Sequence, residues 1–442
     1  MHTHLPTSPQ PPALLAPAGR RGVSAQISLA DAHRILETLL EGYTGPVAVS
    51  LWDDSYVQGS SDAAATLSFR QPGALRELIL HPDLVRMAES YLLGAIEVYG
   101  RMDIAFDLVD FLERHDIGRL ERARLLVRAL RLPNLDARRS LLHRAARAST
   151  HANGIESIAH HYDVSNAFYG LWLDPELIYS CAYFRSAGQT LAEAQRDKLD
   201  YLCRKLRLQP GQQLLDIGCG WGALALWAAR HYGARVHGIT LSERQCQYAQ
   251  ARVREAGLDD RVRIELRDYR DLPQTARYDR VVSVGMFEHV GLDNLPHYFE
   301  TVQRVLAPGG LFLNHGITND RGWKDGVSQR FVNQYVFPDG ELTRVSAVQE
   351  SMEQAGFEIL DVESLRPHYA LTLRHWLQRF EAEYDRIVSE VGSRLYRTWR
   401  LYLGGSAHYF RQGSLGVYQI LAGHYYADQP LPLRRDDLYR DG

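Results

Sequence analysis

Across 442 residues, apolar side chains make up 45% and charged ones 23%, enough chain for two or three domains around sizeable cores. A formal net charge of −3 gives no global pull toward nucleic acid, and no apolar run reaches the roughly 18 residues that a membrane span needs. The four cysteines, Cys181, Cys203, Cys219 and Cys246, fit neither a zinc spacing nor a disulfide framework, which points to reduced thiols in a cytoplasmic protein and to no metal site.

Residues 1–25, rich in Pro, Ala and Ser, read as a disordered tail. No apolar stretch follows Arg20–Arg21, so no export signal is read there. Residues 26–115 mix both secondary-structure periods. "ISLADAHRILETLLEGY" has apolar residues at helical spacing, with Ser28 as its N-cap. "VAVSLW" and "ATLSFR" read as strands, and "ALRELILHPDLVRMAESYLLG" and "MDIAFDLVDFLERH" as helical stretches. The expectation is a small α+β domain whose pattern resembles sterol-carrier-like lipid-binding domains.

Residues 116–154 form a basic helix and a linker. Between Arg119 and Arg147 stand nine arginines and only two acids, Glu121 and Asp136. Such a segment either touches an anionic surface or is a solvated helix face. Any membrane contact is then peripheral.

From residue 155 strands and helices alternate. Strands are read at 213–217, 235–239, 262–266, 278–284 and 310–317, and two more at "FEILDVESL" and "GVYQILAGHY". Helices fall at 222–232, 242–256, 295–306 and around 371–403. Strands separated by helices of this length imply a parallel, doubly wound sheet. The fold class is therefore α/β: a seven-stranded, Rossmann-like class I methyltransferase domain over 155–442, its last two strands an edge pair, behind the small α+β domain.

The turn after the first of these strands reads Asp216-Ile217-Gly218-Cys219-Gly220-Trp221-Gly222. Glycines let the backbone turn tightly and approach a ligand closely. The acid at the strand end suits a cationic amino-acid moiety better than a phosphate, which selects S-adenosylmethionine over a dinucleotide. At the end of the second strand, where many such sites carry an acid for ribose, the chain has Thr240 and Leu241, with Gln245 following. Ribose binding then falls to backbone groups, Thr240 and Gln245. Asp268 and Tyr269 stand beside the expected adenine position.

"YSCAYF", "LDIGCGWGALA", "GITLSERQ", "DYRDL", "VSVGMFEHVG" and "NHGI" follow one another in this order. Over residues 155–425 the combination resembles the cyclopropane-fatty-acyl-phospholipid synthases and the mycolic acid cyclopropane synthases. That resemblance implies addition of a methylene from S-adenosylmethionine across a cis double bond of an acyl chain in a phospholipid. It implies Tyr179 and Ser180 beside the cofactor. It also implies that bound bicarbonate removes the proton that lets the ring close. Glu288 would hold that anion with the side chains of His315 and Tyr369 and backbone groups of Cys181 and Ile317. His289 is read as capping the same turn. Tyr183, Phe184, Trp323, Phe331 and Tyr335 are candidates for an acyl tunnel.

One departure concerns "YLGGSAHYF", where the family often carries a cysteine and this chain has Ser406. Its absence favours a bicarbonate base over a cysteine. The expected partner is an unsaturated phospholipid at the inner face of the membrane, and a homodimer is one assembly that the resemblance allows. A methyl- or methylene-branched product, a soluble small-molecule acceptor and a catalytically silent lipid-binding protein are the alternatives weighed.

Overall fold

Runs of β-branched and aromatic residues between glycine turns build two separate sheets. The computed structural model describes residues 23–135, 165–275, 277–320, 341–428 and 431–439. The tail up to residue 22, the linker from 136 to 154 with its four arginines, and Trp323, Phe331 and Tyr335 lie outside the described residues.

The chain divides into two units. The first holds the N-terminal segment and Leu377–His408. Its sheet has the order β2-β1-β3-β4, formed by β1 (Val47–Ser50), β2 (Tyr56–Gln58), β3 (Ala65–Phe69) and β4 (Ile96–Gly100). β1 and β3 run parallel and are buried throughout, whereas β2 and β4 are antiparallel edges. The edges escape the sequence reading: β2 has three residues, and β2 and β4 lack the fully buried apolar run of β1 and β3. The first helix spans Val23–Leu39, so Ser28 is a buried interior residue and not an N-cap.

The linear reading assigns residues 377–408 to the methyltransferase domain, but they pack in the first unit. The expected helix around 371–403 is two helices, Arg366–Ala382 and Tyr384–Gln412, the second broken at Gly392 with φ 82°. Arg400 donates to the carbonyls of Val98 at 2.9 Å and Gly100 at 3.1 Å and to Glu381 at 2.7 Å. Arg397 donates to Tyr91 O at 2.9 Å and pairs with Glu97. The Arg400 guanidinium occupies carbonyls at β4 and so covers part of that sheet edge. Ser406 belongs to this unit.

The second unit carries a seven-stranded sheet with the order β10-β11-β9-β8-β5-β6-β7. Its strands are β5 (Gln213–Ile217), β6 (Arg235–Thr240), β7 (Val262–Leu266), β8 (Tyr278–Val284), β9 (Leu306–Asn319), β10 (Phe357–Ser364) and β11 (Leu415–His424). β5 to β9 are parallel, and β11 inserts antiparallel between β9 and β10. One face buries Leu214, Val236, Val282, Leu311 and Leu313 against helices Leu191–Lys205 and Ala223–Tyr232. The other packs Leu215, Ile217, Val281 and Phe312 against helix Leu295–Val305. The strand order reverses beside β5, so the C-terminal ends of β5 and β8 open a crevice there.

Candidate active site

The crevice is a cavity of about 520 Å³, within the size range of small-molecule sites. The glycine turn after β5 forms its floor. Gly218 sits at φ 79°, and an added Cβ would meet Met286 Cγ at 3.3 Å. The amides of Gly218 and Cys219 donate to Ile239 O at 2.9 and 3.0 Å, which pins the turn to β6. Asp216, Gly218, Cys219, Gly220 and Trp221 all line the cavity. Gly222 does not: it starts helix Ala223–Tyr232 at φ 84°, where a Cβ would come within 3.0 Å of Ala249 Cβ. Its role is close packing, a distinction that the spacing of the motif does not carry.

Tyr179 and Ser180 form another wall, and Thr240, Leu241 and Gln245 a third. Thr240 donates to Gln245 Oε1 at 2.9 Å, leaving the Gln245 amide NH₂ as the donor available to a diol. Asp268 and Tyr269 close the far end. The Asp268 carboxylate is held by Arg270 at 2.6 Å, which keeps it below the usual carboxylate range against the opposing pull of burial. Every expected cofactor residue other than Gly222 thus faces one cavity.

Asp216 is buried, and desolvation raises its pKa to about 7, with Lys198 opposing the shift. Its Oδ2 has no hydrogen-bond partner. Lys198, absent from the sequence reading, also lines the cavity and donates to Ser180 Oγ at 2.9 Å. A signal existed: Lys198 continues the buried stripe Leu191, Ala194, Leu199, Leu202 of its helix. His289, read as a turn cap, lines the cavity as well, and desolvation lowers its pKa to about 4.

The expected anion-binding residues do not line this cavity. Two of them adjoin residues that do, since Cys181 follows Ser180 and Glu288 precedes His289. Glu288 Oε1 accepts the Ile317 backbone N–H at 2.7 Å. Glu288 Oε2 is buried without a partner, and burial raises the pKa of this side chain to about 7.

His315 stands two residues before Ile317 on β9. Its Nδ1 lies 3.1 Å from Gln419 Nε2, on the paired position of β11. An amide NH₂ can only donate, so Nδ1 accepts and the ring proton resides on Nε2. That Nε2 is buried with no partner, and desolvation pushes the ring pKa down to about 3. Cys181 is buried, its Sγ 3.8 Å from Leu365 O, and desolvation raises its thiol pKa. Tyr369 starts one turn later, its N–H on Leu365 O at 3.1 Å and its ring against Trp376 and Phe410.

Gln419 is the second residue that sequence reading missed, because a single polar residue in an apolar strand has no periodic signature. Of the tunnel aromatics, Tyr183 stacks on Tyr201 at 4.3 Å and His368 at 4.8 Å, and Phe184 on His375 at 5.5 Å. Neither lines the cavity. Among the described residues no cluster of His, Cys, Asp or Glu could hold a metal ion, and no helix is long and apolar enough to cross a membrane.

The strand order, the antiparallel β11 between β9 and β10, and a glycine turn lining a cavity at the switch point define a class I methyltransferase. The structure of the cyclopropane synthase MmaA2 from Mycobacterium tuberculosis superposes with a TM-score of 0.59 at 34% identity, covering 62% of this chain and 99% of that one. Residues 149–420 match the family model described as mycolic acid cyclopropane synthetase, and the chain belongs to that family. It is an S-adenosylmethionine-dependent methyltransferase of the cyclopropane synthase family, whose members modify lipids. A probable fatty acid methyltransferase of Pseudomonas putida is 42% identical over 89% of this chain and 96% of its own length. The cyclopropane-fatty-acyl-phospholipid synthase of Escherichia coli K12 is 41% identical over 59% of this chain and 66% of its own.

Proposed function

We propose that the protein adds a methylene group across the cis double bond of unsaturated acyl chains in phospholipids, forming a cyclopropane ring. The observation that supports this reading is that Glu288 Oε2 and His315 Nε2 are each buried without a hydrogen-bond partner. Each such atom is costly unless a polar guest satisfies it. A protonated Glu288 and a neutral His315 each offer one hydrogen to such a guest. Their chemistry suits a carbonate-type anion and not a hydrocarbon.

The cavity residues fit the cofactor. Asp216 Oδ2 offers an acceptor to an ammonium, and the Gly218 turn leaves room for a ligand where a Cβ would collide. When bound, S-adenosylmethionine supplies an electrophilic methyl and bicarbonate a weak base.

That methyl would go to the alkene π pair, and loss of one of its protons to the base would let the ring close. Glu288 would orient the proton acceptor, itself held by the Ile317 N–H on its Oε1. Gln419 holds His315 in the tautomer whose Nε2–H can donate. Burial keeps the Cys181 thiol protonated, so it does not compete as a nucleophile for the cation.

A peripheral position at the cytoplasmic face of the membrane fits helix Arg119–Arg131. Leu120, Val127 and Leu130 are 67%, 54% and 60% exposed along one stripe, flanked by exposed Arg119, Arg122 and Arg124. Apolar and basic residues together suit an anionic lipid surface.

A methyl- or methylene-branched product is the second reading, from the same cofactor and cation with the proton lost elsewhere. What favours it is coverage: the Pseudomonas putida fatty acid methyltransferase spans 89% of this chain, whereas the Escherichia coli cyclopropane synthase match spans 59%. Expression in a host without such an enzyme, followed by mass and NMR analysis of its lipids, separates the two. Cyclopropane protons support the first reading, and a branched methyl or exocyclic methylene supports the second. Unmodified lipids from well-expressed protein would sink both.

A further inference from the structure

We infer that His368 and Thr372 are positioning residues: their side chains hold segment 179–184, whose first two residues line the cavity, against the helix that carries Tyr369. The inference rests on the reading that the cavity takes S-adenosylmethionine.

Segment 179–184 belongs to no strand or helix, so its buried N–H groups need partners from elsewhere. Ala182, fully buried, donates its N–H to Thr372 Oγ1 at 3.0 Å, and Phe184 donates to His368 Nδ1 at 2.9 Å. Both acceptors stand on helix Arg366–Ala382, one turn apart. The spans agree, because two residues of extended chain cover about 6.6 Å and four of helix about 6 Å. Tyr183, between them, donates instead to Ala194 O at 3.1 Å, on helix Leu191–Lys205. Alternate N–H groups directed to two different helices make a strand-like strip, and on one side its ladder is built of side chains.

Each acceptor is prepared for this. Thr372 Oγ1 uses its own hydrogen on His368 O at 2.8 Å, so toward Ala182 it can only accept. Burial lowers the His368 pKa against the pull of Glu363, which leaves the ring neutral at pH 7 with a lone pair on Nδ1. Tyr183 stacks on the same ring at 4.8 Å, 11° from parallel. A third tie lies at the start of the helix: Leu365 O is 3.8 Å from Cys181 Sγ and accepts the Tyr369 N–H at 3.1 Å. A segment released from these side chains would carry Tyr179 and Ser180 away from the cavity.

The test pairs calorimetry of S-adenosylmethionine binding with hydrogen exchange across residues 179–184, both on the full chain. His368→Phe keeps a ring for Tyr183 to stack on and removes the acceptor. Thr372→Val keeps the shape and removes the hydroxyl. Each should weaken cofactor binding roughly 10-fold, as expected for one lost hydrogen bond, and speed exchange in the segment by a similar factor. His368→Asn places an amide oxygen near the Nδ1 position without the ring, and Thr372→Ser keeps the hydroxyl. These two should restore most of the affinity and of the protection.

A wild type whose 179–184 amides exchange as fast as an open loop overturns the inference without any variant having to fold. So does His368→Asn binding no better than His368→Phe, which would leave ring stacking as the only role. Faster exchange in folded His368→Phe and Thr372→Val with wild-type affinity would likewise sink it. Should wild type bind no S-adenosylmethionine, the reading of the cavity itself falls, an outcome distinct from the other three.

Discussion

Ile317 donates its backbone N–H to Glu288 Oε1 at 2.7 Å, and this bond joins the short helical turn after β8 to the neighbouring strand β9. The bond fixes one carboxylate oxygen and leaves the other buried without a partner. The residue is therefore a cost to the fold, and the proposed function gives it a role in the site.

Glu288→Gln should separate these roles. Burial raises the Glu288 pKa from 4.5 to about 7. Below pH 4.5 both folded and unfolded states carry the proton, so wild type and variant should be equally stable. Between 4.5 and 7 the unfolded chain ionises first, and wild-type stability falls. Above 7 the variant should be the more stable by about 3 kcal/mol at most. Turnover should drop roughly 100-fold while cofactor affinity stays within about twofold. Denaturant titrations at pH 4 and pH 8 check the first part; equal stability differences at both pH values would contradict it.

Gln419→Leu removes the donor that keeps the His315 proton on Nε2. A loss of roughly 10-fold in turnover is expected, as for other residues that orient a histidine. Gln419→Glu should move the ring proton to Nδ1. Nitrogen NMR of His315 reads the tautomer directly, and an unchanged tautomer in both variants would remove Gln419 from the mechanism.

Gly218→Val combines a φ of 79° with a Cβ only 3.3 Å from Met286 Cγ. A β-branched residue is strained in that conformation. Cofactor binding should be lost while the circular dichroism of the sheet persists. Retained binding would mean that the turn is not the cofactor's cradle.

Serine at Leu120, Val127 and Leu130 should weaken binding to anionic vesicles at all salt concentrations. Charge removal at Arg119 and Arg122 should weaken it mainly at low salt. Arg128 and Arg131 are poor choices for that series, because both pair with Asp31, at 2.9 and 3.7 Å. Vesicle co-sedimentation insensitive to both sets of changes would clear this helix of a membrane role.

Much of the second unit was legible in the residues. The strands of the sheet have apolar runs flanked by glycine turns, and "DIGCGWG" fixes where the cofactor cavity must open. Local signals failed where the cause is distant. β2 and β4 are partly exposed edges without the continuous apolar run that marks β1 and β3. Residues 377–408 look like a continuation of the methyltransferase helices, yet Arg397 and Arg400 bond to Glu97, Val98 and Gly100, some 300 positions away. Lys198 and Gln419 were passed over because a polar residue inside an apolar pattern looks like noise until its neighbours are known.

The amino-acid order determined the α/β class, the glycine turn and the family's run of motifs, since each depends on residues within a few positions of one another. Tertiary structure alone decided which of these residues line the cavity and which only pack, as Gly218 and Gly222 illustrate. It also decided that Glu288 and His315 keep bonding capacity unused. Burial and hydrogen-bond completion are properties of chain segments brought together by folding, and no local pattern encodes which partner a polar atom will lack.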